Sequence, residues 1–115
     1  KDNFLYLGGM PFTGLLKKKE TDGYAELNYS EGHVHGIYKS FYASGRIKEV
    51  SLYNEGKLNG RSIHYWPNGT KKMNVNYVDG EMDGIYEEWD NNGLIAKMKT
   101  YYKGKLISIK GRAIY

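Results

Sequence analysis

Several groups of residues carry side chains that could do chemistry. Asp79-Gly80-Glu81-Met82-Asp83-Gly84, with Asp90 six residues on, sets carboxylates at alternate positions around glycines. An oxygen-lined calcium loop needs that pattern. His33-Val34-His35 puts two imidazoles on one side of an extended segment, and His64 is the third of the 3 histidines, so a metal site would have to recruit it from elsewhere. Lys17-Lys18-Lys19 is a basic run, and residues 91–115 hold Lys97, Lys99, Lys103, Lys105, Lys110 and Arg112 without an acid. Cations interleaved with aromatic rings suit an acidic membrane or another polyanionic surface, and nucleic acid is the disfavoured version of that reading because the charge excess is small. Residues 79–90 are the converse, with Asp79, Glu81, Asp83, Glu87, Glu88 and Asp90 and no base.

Other chemistries are closed off. The chain has 0 cysteines, which removes disulfides, thiolate metal sites and thiol catalysis. There is no G-x-S-x-G and no P-loop, and no histidine accompanies a recurring nucleophile. Net charge is +4, charged residues are 26% and mean hydropathy is −0.68, so the chain reads as water-soluble, while an aromatic content of 15% separates it from a disordered tail. No apolar run approaches the ~20 residues of a membrane-spanning helix. The chain opens at Lys1. A removed export signal or a trimmed chain accounts for that, and export to the periplasm or cell surface is favoured over the cytoplasm.

The elements that must position these residues follow from a period. Tyr29, Tyr53, Tyr77 and Tyr101 fall 24 residues apart, as do Gly32, Gly56, Gly80 and Gly104, and Gly45, Gly69 and Gly93. A spacing that does not slip across several residue types marks a tandem array. The unit is Y-x-x-G-x-φ-x-G, eight residues, then G. Copies span 29–52, 53–76 and 77–100, after a degenerate copy at about 6–28 and before a partial copy at 101–115, in which Ser108 stands where the second glycine is due. The whole chain, 1–115, is one repeat domain.

Runs such as Ile47-Lys48-Glu49-Val50-Ser51-Leu52-Tyr53 are rich in β-branched and aromatic residues, and Met73, Val75 and Tyr77 alternate with polar neighbours. Ala43-Ser44-Gly45, Pro67-Asn68-Gly69 and Asn91-Asn92-Gly93 are turns. The fold class is therefore all-β. Tandem hairpins of 24 residues form one elongated, twisted antiparallel meander, on the order of 45 Å across for ten strands at ~4.8 Å each. Phe41, Tyr65 and Trp89 share one register, Tyr42 and Trp66 the next, and Val34, Leu58, Met82 and Leu106 a third, in the connection between hairpins. Ladders of equivalent side chains, each buried against its copy next door, are the expected substitute for a second layer. A turn near Asn91-Asn92 sets Glu87 and Glu88 opposite the stretch around Ala96 to Lys99. Cross-strand pairing then explains the charge segregation better than a patch for a charged partner or for head-to-tail association.

Tyr53-Asn54-Glu55-Gly56-Lys57-Leu58-Asn59-Gly60 followed by Tyr65-Trp66-Pro67-Asn68-Gly69 resembles the MORN repeat, in the bacterial variant often grouped as antitoxin-like. The likeness runs through nearly the whole chain. It departs from the more usual unit after the second glycine, where Ile37-Tyr38, Arg61-Ser62 and Ile85-Tyr86 replace G-x-G, which weakens transfer of the lipid-linked roles of other MORN proteins. The resemblance implies an elongated scaffold for protein contacts, with a toxin as one candidate partner.

The repeat absorbs the site-like features. Both glycines of the acidic loop belong to the unit, the equivalent loop carries Lys57, and no metal or other cofactor is expected. A recurring glycine marks a recurring turn, and an active site is a single asymmetric constellation, so the chain reads as non-enzymatic. The reading is a scaffold that binds another protein through large aromatics on one face, with Tyr42, Tyr65, Trp66, Tyr86 and Trp89 as contact candidates. The alternative is attachment to an acidic membrane or other polyanion through Lys17, Lys18, Lys19, Lys97, Lys99, Lys103 and Lys105.

Overall fold

The structure is a computed structural model and describes residues 4–110, excluding the side chain of Lys110. Its described residues form strands and turns. Two short strands, β1 (Tyr6–Leu7) and β2 (Met10–Pro11), pair only with each other. The remaining nine make one antiparallel sheet in chain order: β3 (Gly14–Glu20), β4 (Gly23–Ser30), β5 (His33–Tyr42), β6 (Ile47–Asn54), β7 (Lys57–Tyr65), β8 (Lys71–Val78), β9 (Glu81–Trp89), β10 (Ile95–Tyr102) and β11 (Lys105–Lys110). Each strand lies beside its neighbours in sequence, which is a meander, and the sheet is not closed into a barrel. The expectation of an all-β meander is met. The first pair departs from it: β1–β2 folds against the β4–β5 turn through Leu5 N–H to Gly32 O (2.8 Å), with Phe12 edge-on to Tyr29.

Two kinds of turn alternate. At one end of the sheet, Gly45, Gly69 and Gly93 take φ of 94°, 94° and 88°. At the other, two residues join the strands. Glu31, Glu55, Asp79 and Lys103 sit at φ 47–50°, each followed by a glycine at φ 82–87°. Positive φ at both central positions matches the right-handed twist of the flanking strands. The non-glycine residues tolerate this conformation because the preceding hairpin holds them. Glu31 N–H donates to Thr13 Oγ1 (2.9 Å), Glu55 N–H to His35 Nδ1 (3.2 Å) and Lys103 N–H to Asp83 Oδ2 (3.1 Å). Gly56, Gly80 and Gly104 N–H reach the carbonyls of Val34, Leu58 and Met82 at 2.7–2.8 Å.

The second glycine of each unit forms a bulge. Between Ser51↔Ser62 and Tyr53↔Leu58, two residue steps on β6 face four on β7, with Gly60 at φ 113°. Where Ser108 replaces that glycine, the bulge narrows. One step on β10, from Thr100 to Tyr101, faces two on β11, from Ser108 to Leu106. A side chain at Ser108 disfavours the wider, positive-φ form.

The two faces differ. Ala25, Ser40, Ser51, Ser62 and Val75 are buried and register onto one side, with Tyr29 and Val34. In a single sheet such small side chains are covered only by longer neighbours on the same face, here Tyr38, Tyr53, Tyr77, Tyr86 and Tyr101. This is the inner face. The ladders are not built as expected, and Val34, Leu58, Met82 and Leu106 lie within β5, β7, β9 and β11 rather than in connections, because the turns before them take only two residues. One repeat contributes two strands, so equivalent residues stand roughly 9.6 Å apart, beyond ring contact. The rings meet instead between neighbouring strands: Tyr24 stacks on Phe41 at 4.6 Å, and Tyr38–Tyr53 and Tyr86–Tyr101 are edge-on at 6.1 Å.

Candidate interaction surface

The outer face has no described element packed over it. Along its end nearest the Gly45, Gly69 and Gly93 turns runs a row of large side chains built from three cross-strand pairs: Phe41↔Ile47, Tyr65↔Lys71 and Trp89↔Ile95. Tyr24 on β4 extends it by stacking on Phe41. The row crosses strands β4 to β10, roughly 29 Å at ~4.8 Å per strand. Tyr24, Ile47 and Ile95 are exposed, and the rings of Phe41, Tyr65 and Trp89 are half-buried.

The five contact candidates do not share a face. Tyr65 and Trp89 belong to the outer row, whereas Tyr86, opposite Val75, is on the inner face. Tyr42 pairs with Gly23, in register with the inner face. Its hydroxyl donates to Tyr65 O at 2.6 Å, and Trp66 Nε1–H donates to Trp89 O at 3.1 Å. Tyr42 and Trp66 therefore clamp one hairpin to the next, and Lys48 and Lys72 lie over their rings. The Tyr86 hydroxyl donates to the Glu88 carboxylate, and burial, then that carboxylate, pushes its phenol well above the ordinary range. Sequence reasoning missed Tyr24, Ile47 and Ile95, because only strand register shows that they stand beside Phe41 and Trp89.

The lysines of the alternative surface are divided. Lys17 and Lys19 point outward with Glu26 and Tyr24, while Lys18 pairs with Ala25 on the inner face. Lys97 and Lys99 are inner residues opposite Glu88 and Tyr86. Lys103 is a turn residue with its ammonium over Tyr102, and Lys105 pairs with Tyr102. Strands β3 and β10 are seven positions apart in the sheet, roughly 34 Å. The Lys110 side chain and Arg112 lie outside the described residues. The register Glu88↔Lys97 and Glu87↔Met98 meets the expected cross-strand arrangement of the charged segments.

The acidic loop spreads its carboxylates. Asp79 Oδ1 accepts from Asn59 Nδ2 (3.3 Å), Asp83 caps the next turn, and Asp90 Oδ1 accepts the N–H groups of Asn92 and Leu94. Among the described residues no group of three His, Cys, Asp or Glu is arranged to hold a metal ion. On the inner face a polar ring forms that the sequence did not announce. Ser51 Oγ–H donates to Glu49 Oε2 (2.6 Å), Ser51 and Ser62 hydroxyls are 2.6 Å apart, Ser62 Oγ is 3.3 Å from His64 Nε2, and His64 Nδ1 is 3.9 Å from Glu49 Oε1. Its one sequence signal is Ser62 standing where the period places Tyr38 and Tyr86.

Compared with protein-family models the chain matches none, and it matches no curated protein.

Proposed function

We propose that this chain is a MORN-type repeat scaffold that binds another protein and catalyses no reaction. The observation that supports it is the row Tyr24–Phe41–Ile47–Tyr65–Trp89–Ile95 on a face with no described element over it. Rigid aromatic and branched side chains held by strand pairing lose little entropy on contact, so they suit an interface centre. Lys71 within the row and Lys19 at its end favour a partner with acidic residues around an apolar core. The antitoxin-like grouping makes a toxin protein the first partner to try.

The test uses immobilised protein, a candidate partner, and the pair of exposed-residue substitutions Ile47→Ser and Ile95→Ser. Capture should survive a rise in salt from about 0.1 to about 1 M, where exposed charges are screened, and should drop at least tenfold in the double variant. Anionic vesicles are the comparison. If vesicles bind, release at high salt, and bind the double variant equally well, the acidic-surface alternative replaces this reading.

A further inference from the structure

We propose that the middle of the outer face is also a self-association surface, where a second copy of this chain packs face to face about a two-fold axis lying along β7. One unbroken row of cross-strand partners carries the argument: Lys39↔Val50↔Ile63↔Asn74↔Glu87. Ile63 is its centre, with a lysine two strands to one side and a glutamate two strands to the other. A two-fold rotation about β7 returns Ile63 onto Ile63 of the second copy and sets Lys39 over Glu87 of the second copy, twice per dimer. The neighbouring row obeys the same operation, since Ile37 then lies over Ile85 of the second copy, and both isoleucines are exposed.

The acidic end of the row is concave. Arg61, Asn74, Asn76, Asp83, Ile85 and Glu87 line a cleft of about 390 Å³ beside β9. Asn74 Nδ2 donates to Glu87 Oε1 at 3.0 Å, while Asn74 Oδ1 is a buried acceptor without a hydrogen-bond partner among the described residues. A lysine from the second copy entering beside Glu87 supplies donors to an acceptor-rich wall. Lys39 stands opposite Glu26 in its own chain, and Arg61 shares the cleft with Glu87. Each charge thus has a same-chain neighbour, and the informative change is an exchange of charges rather than a deletion. Twisted sheets diverge away from their contact line, so contact is confined to β5–β9. That is roughly 400 Å² per copy, about half the standard interface, and the dimer is a weak one.

Sedimentation equilibrium over a concentration series tests it. Wild-type protein should show a monomer–dimer equilibrium. Lys39→Glu and Glu87→Lys alone should each raise the dimer dissociation constant about tenfold or more, because each sets like charges together twice. The K39E/E87K double variant should return to within about threefold of wild type, and an equimolar mixture of the two single variants should associate where neither does alone. Ile85→Asp, at an exposed position, should weaken association without changing the circular dichroism spectrum. Wild type that stays monomeric up to about 1 mM, or an exchange that restores nothing, overturns the proposal. The row from Tyr24 to Ile95 is intact in all these variants, so loss of self-association is separable from loss of a foreign partner.

Discussion

At the residue scale, the buried hydroxyls of the inner face control a charged group. Ser51 is fully buried and hydrogen bonds both Glu49 and Ser62. Removing it leaves the Glu49 carboxylate without its 2.6 Å donor in a half-buried position, whereas removing the Ser62 hydroxyl leaves the Ser51–Glu49 bond in place. Ser51→Ala should therefore cost about 1–3 kcal/mol and Ser62→Ala less, read as urea midpoints. Equal losses would mean that the ring has no such hierarchy. Beyond the departure from the period at Ser62, the ring was not legible in the sequence, since Glu49, Ser51, Ser62 and His64 come from two copies and meet only through the β6–β7 register.

At the element scale, the hairpin is the unit, and its glycines are not interchangeable. Gly36 and Gly60 occupy the same place in successive copies, at φ 89° and 113°. A methyl group at Gly36 meets nothing within 4 Å, while one at Gly60 comes within 2.9 Å of Leu52 Cδ1 and 3.3 Å of Leu52 Cβ. Gly36→Ala should cost about 1–2 kcal/mol from backbone conformation alone, and Gly60→Ala more, because Leu52 must also move. Thermal midpoints that rank the two in the opposite order would remove steric crowding as the difference. The strand pattern and the Gly45, Gly69 and Gly93 turns were legible, because alternation and Asn-Gly or Ser-Gly pairs act locally. The two-residue turns at Glu31, Glu55, Asp79 and Lys103 were not legible, since those residues take positive φ only where the preceding hairpin holds them. The separate β1–β2 pair was not, because Phe12 meets Tyr29 across distant sequence.

At the scale of the whole molecule, one sheet protects many phenols. Tyr29, Tyr38, Tyr53, Tyr77 and Tyr86 are all pushed above the ordinary tyrosine value, first by burial and, for all but Tyr29, also by nearby carboxylates. The folded chain holds their protons more tightly than the unfolded chain does. The resulting stability is fully present below about pH 10, and it is lost as pH rises from there through the raised folded values. Urea midpoints should fall steeply above pH ~10, with tyrosinate absorbance rising in the same transition. A midpoint that holds steady from pH ~9 to ~11 would contradict this.

The sequence by itself determined the all-β class, the meander and the place of the Gly45, Gly69 and Gly93 turns. Those depend on side-chain alternation and on backbone freedom at particular residues, which are local properties. It also accounted for the glycines of the acidic loop as repeat positions, and the structure adds that His35, Asn59 and Asp83 each hold the next turn. Only the tertiary structure decided which face is inner. That outcome depends on bulges beside the Gly45, Gly69 and Gly93 turns, where one residue step on a strand faces two on its neighbour, and on Ala25, Ser40, Ser51, Ser62 and Val75 falling on one side. A shift of one residue sends a side chain to the opposite face. For that reason the five aromatic candidates, alike by type, divide between clamp, inner face and outer row.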